Sequence, residues 1–196
     1  MKKMLFPILI LTFIVSIVFA GPFGLSKGMS VSAISKLSKQ GFEPERISDD
    51  DKYFFIPKKP HDLFKAYIAY VDERKGLYRI NAVSNGIESS VYGLELRIAF
   101  NVLVHTLSKT YGTPKRTDKI KENYKFKEGK YWLRSLKDGA RELSATWKRG
   151  ENGTTLPQEL DKISVYLSAN FLYGLINIDY SFSNSAEIEN KQVDVL

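Results

Sequence analysis

Two histidines, His61 and His105, and no cysteine are all that this 196-residue chain offers a soft metal or a histidine-based catalyst. A metal site needs several His, Cys or carboxylate ligands converging on one point. His61 sits in Pro60-His61-Asp62 and reads as a loop residue, while His105 falls beside the apolar stripe of a long helical segment and reads as a packing or surface residue. The acidic run Asp49-Asp50-Asp51 could attract a hard cation, but an ion-binding loop spaces its acids around a glycine and closes with a bidentate acid, and no such spacing follows. A solvated turn is the expectation. Nucleophile motifs are missing too: there is no Gly-x-Ser-x-Gly elbow, no Ser-x-x-Lys pair and no glycine-rich phosphate loop. Paired carboxylates for hydrolysis are a matter of spatial rather than sequential spacing, so a carboxylate-based hydrolase stands as the alternative reading. No catalytic residue, cofactor or metal ligand is nominated.

The segment with the strongest functional content is basic. Between Lys115 and Arg149 lie 12 Lys or Arg against five acids, interleaved with Tyr124, Phe126, Tyr131, Trp132 and Trp147. Lys115, Arg116, Lys119, Lys121, Lys125, Lys127, Lys130, Arg134, Lys148 and Arg149 form the candidate partner surface. A focused positive field of this kind attracts a lipid headgroup, an envelope glycolipid or an acidic protein face. The competing expectation is that the aromatics are core and the lysines a solvated face. Nucleic acid is not expected as a partner, because the leader points out of the cytosol.

That leader is residues 1–20, MKKMLFPILILTFIVSIVFA, with Lys2 and Lys3 ahead of an apolar run and small residues near its end. The layout is that of a secretory signal, with cleavage expected between Ala20 and Gly21 and Gly21-Pro22 breaking any helix that would continue. The alternative is an uncleaved N-terminal helix that anchors the chain. After cleavage the remainder carries 27 basic and 22 acidic residues, has no second apolar stretch able to cross a membrane, and must fold without disulfides. The expected address is the periplasm or the medium; the oligomeric state is not legible.

Positioning elements follow from periodicity. Ser30 caps a short helix carrying Val31, Ile34 and Leu37, stopped by Gly41. Tyr53–Ile56 reads as a strand. The stretches 63–71 and 77–84 read as a hairpin in which Phe64, Ala66, Ile68 and Tyr70 share a face. Leu96, Phe100, Leu103, Leu107 and Tyr111 mark a long helix over about 92–111, ended by Gly112 and Pro114. Residues 115–127 read as loop or ragged strand, 128–137 as a short helix, and 143–147, 162–169 and 175–182 as strands, before a polar tail over 184–196. The fold class expected is α+β: two helix-plus-three-strand halves, with antiparallel sheet packed against helices. The domain expected is 21–183, with possible lobes at 21–86 and 87–183. Leu37-Ser38-Lys39 through Gly41 and Pro44 is echoed 70 residues later by Leu107-Ser108-Lys109 through Gly112 and Pro114, which suits an internal repeat.

Gly21-Pro22-Phe23-Gly24-Leu25 with Gly28-Met29-Ser30 resembles the mature N-terminus of a family of small exported bacterial proteins of unknown function. Ala99-Phe100 through Tyr111-Gly112-Thr113-Pro114, the Trp132–Trp147 region and Asp179-Tyr180-Ser181-Phe182 extend the resemblance over most of the chain. It implies export and brings no catalytic residues. In fold, the helix-then-strands halves are similar to β-lactamase-inhibitor-like proteins and to the small lipoprotein subunit of the outer-membrane assembly machinery. Both are modules in which a sheet presents a surface to another protein, although this chain lacks the lipidated cysteine of the second group. The function expected is a non-enzymatic binding or accessory module of the bacterial envelope, acting through its sheet face or its basic segment.

Overall fold

A computed structural model describes residues 21–47, 51–170 and 173–193. The leader with Ala20, the first two aspartates of the acidic turn and the last three residues lie outside the described residues. Among those described, the order is α1 (Val31–Leu37), β1 (Glu45–Arg46), β2 (Lys52–Phe55), β3 (Phe64–Asp72), β4 (Gly76–Ser84), α2 (Leu94–Tyr111), β5 (Lys115–Ile120), α3 (Trp132–Lys137), β6 (Arg141–Lys148), β7 (Leu160–Ala169), β8 (Gly174–Phe182) and α4 (Ser185–Val193).

All eight strands join one antiparallel sheet in the order β1-β2-β3-β4-β8-β7-β6-β5. The expectation of two helix-plus-three-strand halves is therefore wrong: this is a sheet-dominated fold, with each run of strands four long and both runs fused into one surface. The fusion occurs where β4 pairs with β8, Asn81 opposite Asp179. Strand order is symmetric about this seam. Pro44 and Pro114, the ends of the two echoing segments, each immediately precede the first strand of a four-stranded meander.

The strand that was missed, β1, and the one read only as loop or ragged strand, β5, are the two edges. β1 has only two residues, and β5 reads Lys-Arg-Thr-Asp-Lys-Ile with its side chains mostly in solvent. An edge strand facing water on both sides carries no apolar alternation to detect, and its lysines discourage pairing with another chain. The stretch expected as a polar tail instead forms α4, anchored by the buried Ile188 and by the Ser185 hydroxyl donating to the carbonyl of Tyr78.

One face of the sheet meets the helices. Tyr67, Ala69, Ile80, Ala82, Ile176, Ile178, Ile163, Val165, Ala145 and Trp147 point into a core shared with Ile34 of α1, Leu96, Phe100 and Leu103 of α2, and Trp132 and Leu136 of α3. The expected stripe along α2 is the one that packs. Helix α1 begins as expected, with Ser30 Oγ accepting from Ala33 N–H at 3.3 Å. Helix α2 has no side-chain cap at Gly93; instead Glu95 reaches back to accept from Ser90 N–H at 2.8 Å and from the Ser89 hydroxyl at 2.9 Å. Those bonds draw the Glu95 carboxyl down to about 2. At its other end, Trp147 Nε1–H donates to the Gly112 carbonyl at 2.8 Å, tying the helix terminus to β6.

Candidate functional site

The second face of the sheet is the candidate site. Side chains alternate across a strand, so residues flanking those of the core point the other way. Registers align them into rows that cross six strands. One row runs Lys115, Thr146, Ser164, Asp179, Asn81, Ile68. A parallel row runs Thr117, Ser144, Tyr166, Asn177, Val83, Ala66. At strand spacing near 4.8 Å, this surface is roughly 24 Å wide. Among the described residues α4 is the element that packs on this face, at one end: Ile188 and Tyr78 are buried there outside the main core, and Arg79 lies 3.9 Å from Glu189.

Ala66, Ile68 and Tyr70 share a face as expected, but it is this open one. Phe64 departs from them and turns into the core with Tyr67, because the pairing of β3 with β4 shifts between Phe64 and Ala66. An irregularity of this kind adds a residue to one strand and reverses the alternation beyond it.

The middle of the face is a polar network across the seam. Arg79 donates to Asp179 through Nη2 at 2.8 Å and through Nε at 3.3 Å. Asn81 Nδ2 donates to Asp179 Oδ1 at 2.9 Å. The Arg79 guanidinium also lies over the Tyr70 ring, 4.8 Å from its centroid. Burial opposes the Arg79 charge, but the hydrogen bond and charge of Asp179, with Tyr70 and Tyr166, hold its pKa above the ordinary value. Burial first, and then the Asp179 charge, push the Tyr166 hydroxyl up to about 12. Outward from this centre the groups are neutral donors and acceptors: Asn177 Nδ2 donates to Ser168 Oγ at 2.9 Å, and Thr146 and Ser164 hydroxyls lie 3.3 Å apart.

The ten cations of the basic segment do not form one patch. Lys115 and Lys119 stand on the open face of the edge strand, while Arg116 points to the helix side and donates to Asn101 Oδ1 of α2 at 2.7 Å. Lys125 and Arg134 surround the Phe126 ring, with Lys121, Lys127 and Lys130 on the same connection between β5 and α3. Lys148 and Arg149 close β6, where Arg149 donates to the carbonyls of Pro157 and Leu160. Local acids answer several of them: Lys119 meets Glu142 at 3.0 Å, Lys130 meets Glu128 at 2.8 Å, and Lys148 meets Glu151 at 2.9 Å. Of the interleaved aromatics, Trp132 and Trp147 are core, and Tyr124, Phe126 and Tyr131 pack on one another outside it.

Neither histidine gathers ligands. His61 Nδ1 accepts from Leu63 N–H at 3.1 Å and its ring lies against Phe64, and His105 is exposed on α2. Among the described residues there is no group of three or more His, Cys, Asp or Glu able to hold a metal, and no helix long and apolar enough to cross a membrane. Sequence reasoning passed over Arg79, Asn81, Tyr166 and Asp179. Their signal was present as polar residues at alternate positions of LYRINAVS, KISVYLSA and LINIDYSF, but nothing local pairs the first of these strands with the last. No family model, no curated protein and no solved structure matches the chain.

Proposed function

We propose that this chain is a non-enzymatic binding or accessory module of the bacterial envelope, exported behind its apolar leader, that receives a protein partner on the open face of its sheet. The observation that carries this reading is the make-up of a six-strand-wide face on which, among the described residues, α4 packs at one end, and whose side chains are partly exposed around a buried polar centre at Asn81, Asn177 and Asp179. It presents Tyr70, Tyr166, Ser144, Thr146, Ser164 and Ser168, each partly exposed, around one fixed ion pair. Tyrosines on short, stiff stems supply contact area, and hydroxyls and amides supply adaptable hydrogen bonds, which is the composition of surfaces that bind proteins without a deep pocket. The resemblance to exported proteins and the basic composition support the envelope as the setting.

The hydrolase alternative asks for an acid held protonated near neutrality. The carboxyls that shift here, Glu95, Asp138, Glu142 and Glu151, all shift downward, through hydrogen bonds and neighbouring cations. That direction gives it no support.

Photoreactive residues placed singly at Thr146, Ser164 and Ser32 in intact cells test the proposal. Thr146 and Ser164 are expected to capture one discrete protein, Ser32 on α1 is expected not to, and Tyr166→Ala is expected to abolish the adduct. The same capture from all three positions, or none from the sheet, overturns it.

A further inference from the structure

Helix α2 is apolar on two sides. Leu96, Phe100 and Leu103 enter the core, and on the opposite side Leu94, Ile98 and Val102 follow one another at four-residue steps with 53, 54 and 62 % of their surface exposed. Val91 and Tyr92, just ahead of the helix, extend the stripe at 58 and 57 %. A surface helix ordinarily carries one apolar stripe, and a second facing water marks a contact surface.

Cations fringe it. Arg97 flanks the stripe over the Trp132 ring, Arg116 is held to Asn101 on the adjoining turn, and Gly129 packs beside the Tyr92 ring, bringing Lys130 to the border. His105 and Lys109 continue the exposed side towards the helix end. Two acids are near: Glu95, folded back onto Ser89 and Ser90, and Glu128, bridged to Lys130.

We infer that this side of α2 docks on an anionic lipid bilayer, the helix lying along the surface with Leu94, Ile98 and Val102 in the acyl boundary. Apolar residues on the crest of an amphipathic helix with basic neighbours enter a deformable headgroup layer, and tyrosine settles at that level. A second copy suits the face less well, since a twofold contact sets the same cationic fringe against itself. The surface lies on the layer opposite the open sheet face, so the two contacts are independent, and both can be occupied at once.

The absence of cysteine makes the test direct. A nitrobenzoxadiazole dye is attached to the full chain at Ile98→Cys or, as control, at Ser164→Cys. Each is mixed with phosphatidylcholine vesicles with and without phosphatidylglycerol. Expected is brightening and a blue shift at position 98 with the anionic vesicles only, suppressed by salt, and silence at 164. Lys130→Gln and Arg116→Gln should each weaken vesicle partition about fivefold. Because the probe reports its own depth, insertion of residues 1–20 alone leaves it dark. Darkness at 98, an equal response at both positions, or brightening that rises with protein concentration in the absence of vesicles overturns the inference.

Discussion

Arg79 and Asp179, 100 residues apart in the chain, meet across the one seam that joins the two four-stranded runs, with Nη2 and Oδ2 at 2.8 Å. The aspartate side chain is only 9 % exposed and the arginine 29 %, so this is an ion pair largely withdrawn from water. Removing one member of such a pair strands the other, at a cost of about 3 kcal/mol. Asp179→Ala should lose about that much in urea unfolding, and Arg79→Met combined with Asp179→Leu should recover most of it. A single-variant loss below about 1 kcal/mol would show that the seam does not depend on the pair.

Tyr166 supplies a pH signature. Its hydroxyl is raised from 10.0 to about 12 by burial and by Asp179. A group whose pKa is higher in the folded state contributes its full stability below the unfolded value and loses it as pH rises through the folded one. Stability should therefore fall between about pH 10 and pH 12 beyond what exposed tyrosines account for. Tyr166→Phe should make that limb shallower by one group's share, with Tyr180, Tyr67 and Tyr111, which are also raised by burial, keeping the rest. Denaturant midpoints across the range read the slope, while phenolate absorbance shows one late-titrating tyrosine fewer. An unchanged limb in the variant refutes the assignment.

Gly93 is fixed by the Trp132 ring. Its φ is +67°, and a Cβ there would fall 2.0 Å from Trp132 Cε3. Gly93→Ala combines a left-handed backbone, which costs about 1–2 kcal/mol, with overpacking against a ring braced by Arg97 and Arg141. The sum should be about 2–5 kcal/mol, measured by thermal unfolding. Gly139→Ala, with similar φ and no neighbour near its Cβ, should cost only the backbone part.

Elements held by a local rule were legible in the residues. Ser30 announced α1, the Leu96–Tyr111 spacing announced α2, and the turn before Gly76 announced the β3–β4 hairpin. What escaped depends on partners distant in sequence. β5 is a strand because β6 offers it an edge, so Lys115 faces Thr146 in a stretch whose own charges left loop and ragged strand undecided. The face chosen by Ile68 and Tyr70 turns on one pairing shift near Phe64, which no periodicity encodes. The sheet face was named as a place of action, but its centre at Arg79 and Asp179 required knowing that β4 and β8 touch. The basic segment was legible as composition and illegible as geometry, since alternation sends Lys115 and Arg116 to opposite sides of the sheet.

Of the two strands at the middle of the sheet, β8 is the last of the eight to be made. β4 ends at Ser84 and its neighbour β8 starts at Gly174, about 90 residues later. At a synthesis rate of roughly 5–20 residues per second, the first meander waits on the order of ten seconds for the edge it needs. The growing chain thus carries an unzipped half-sheet for much of its synthesis, and the sheet closes only once β8 has been made.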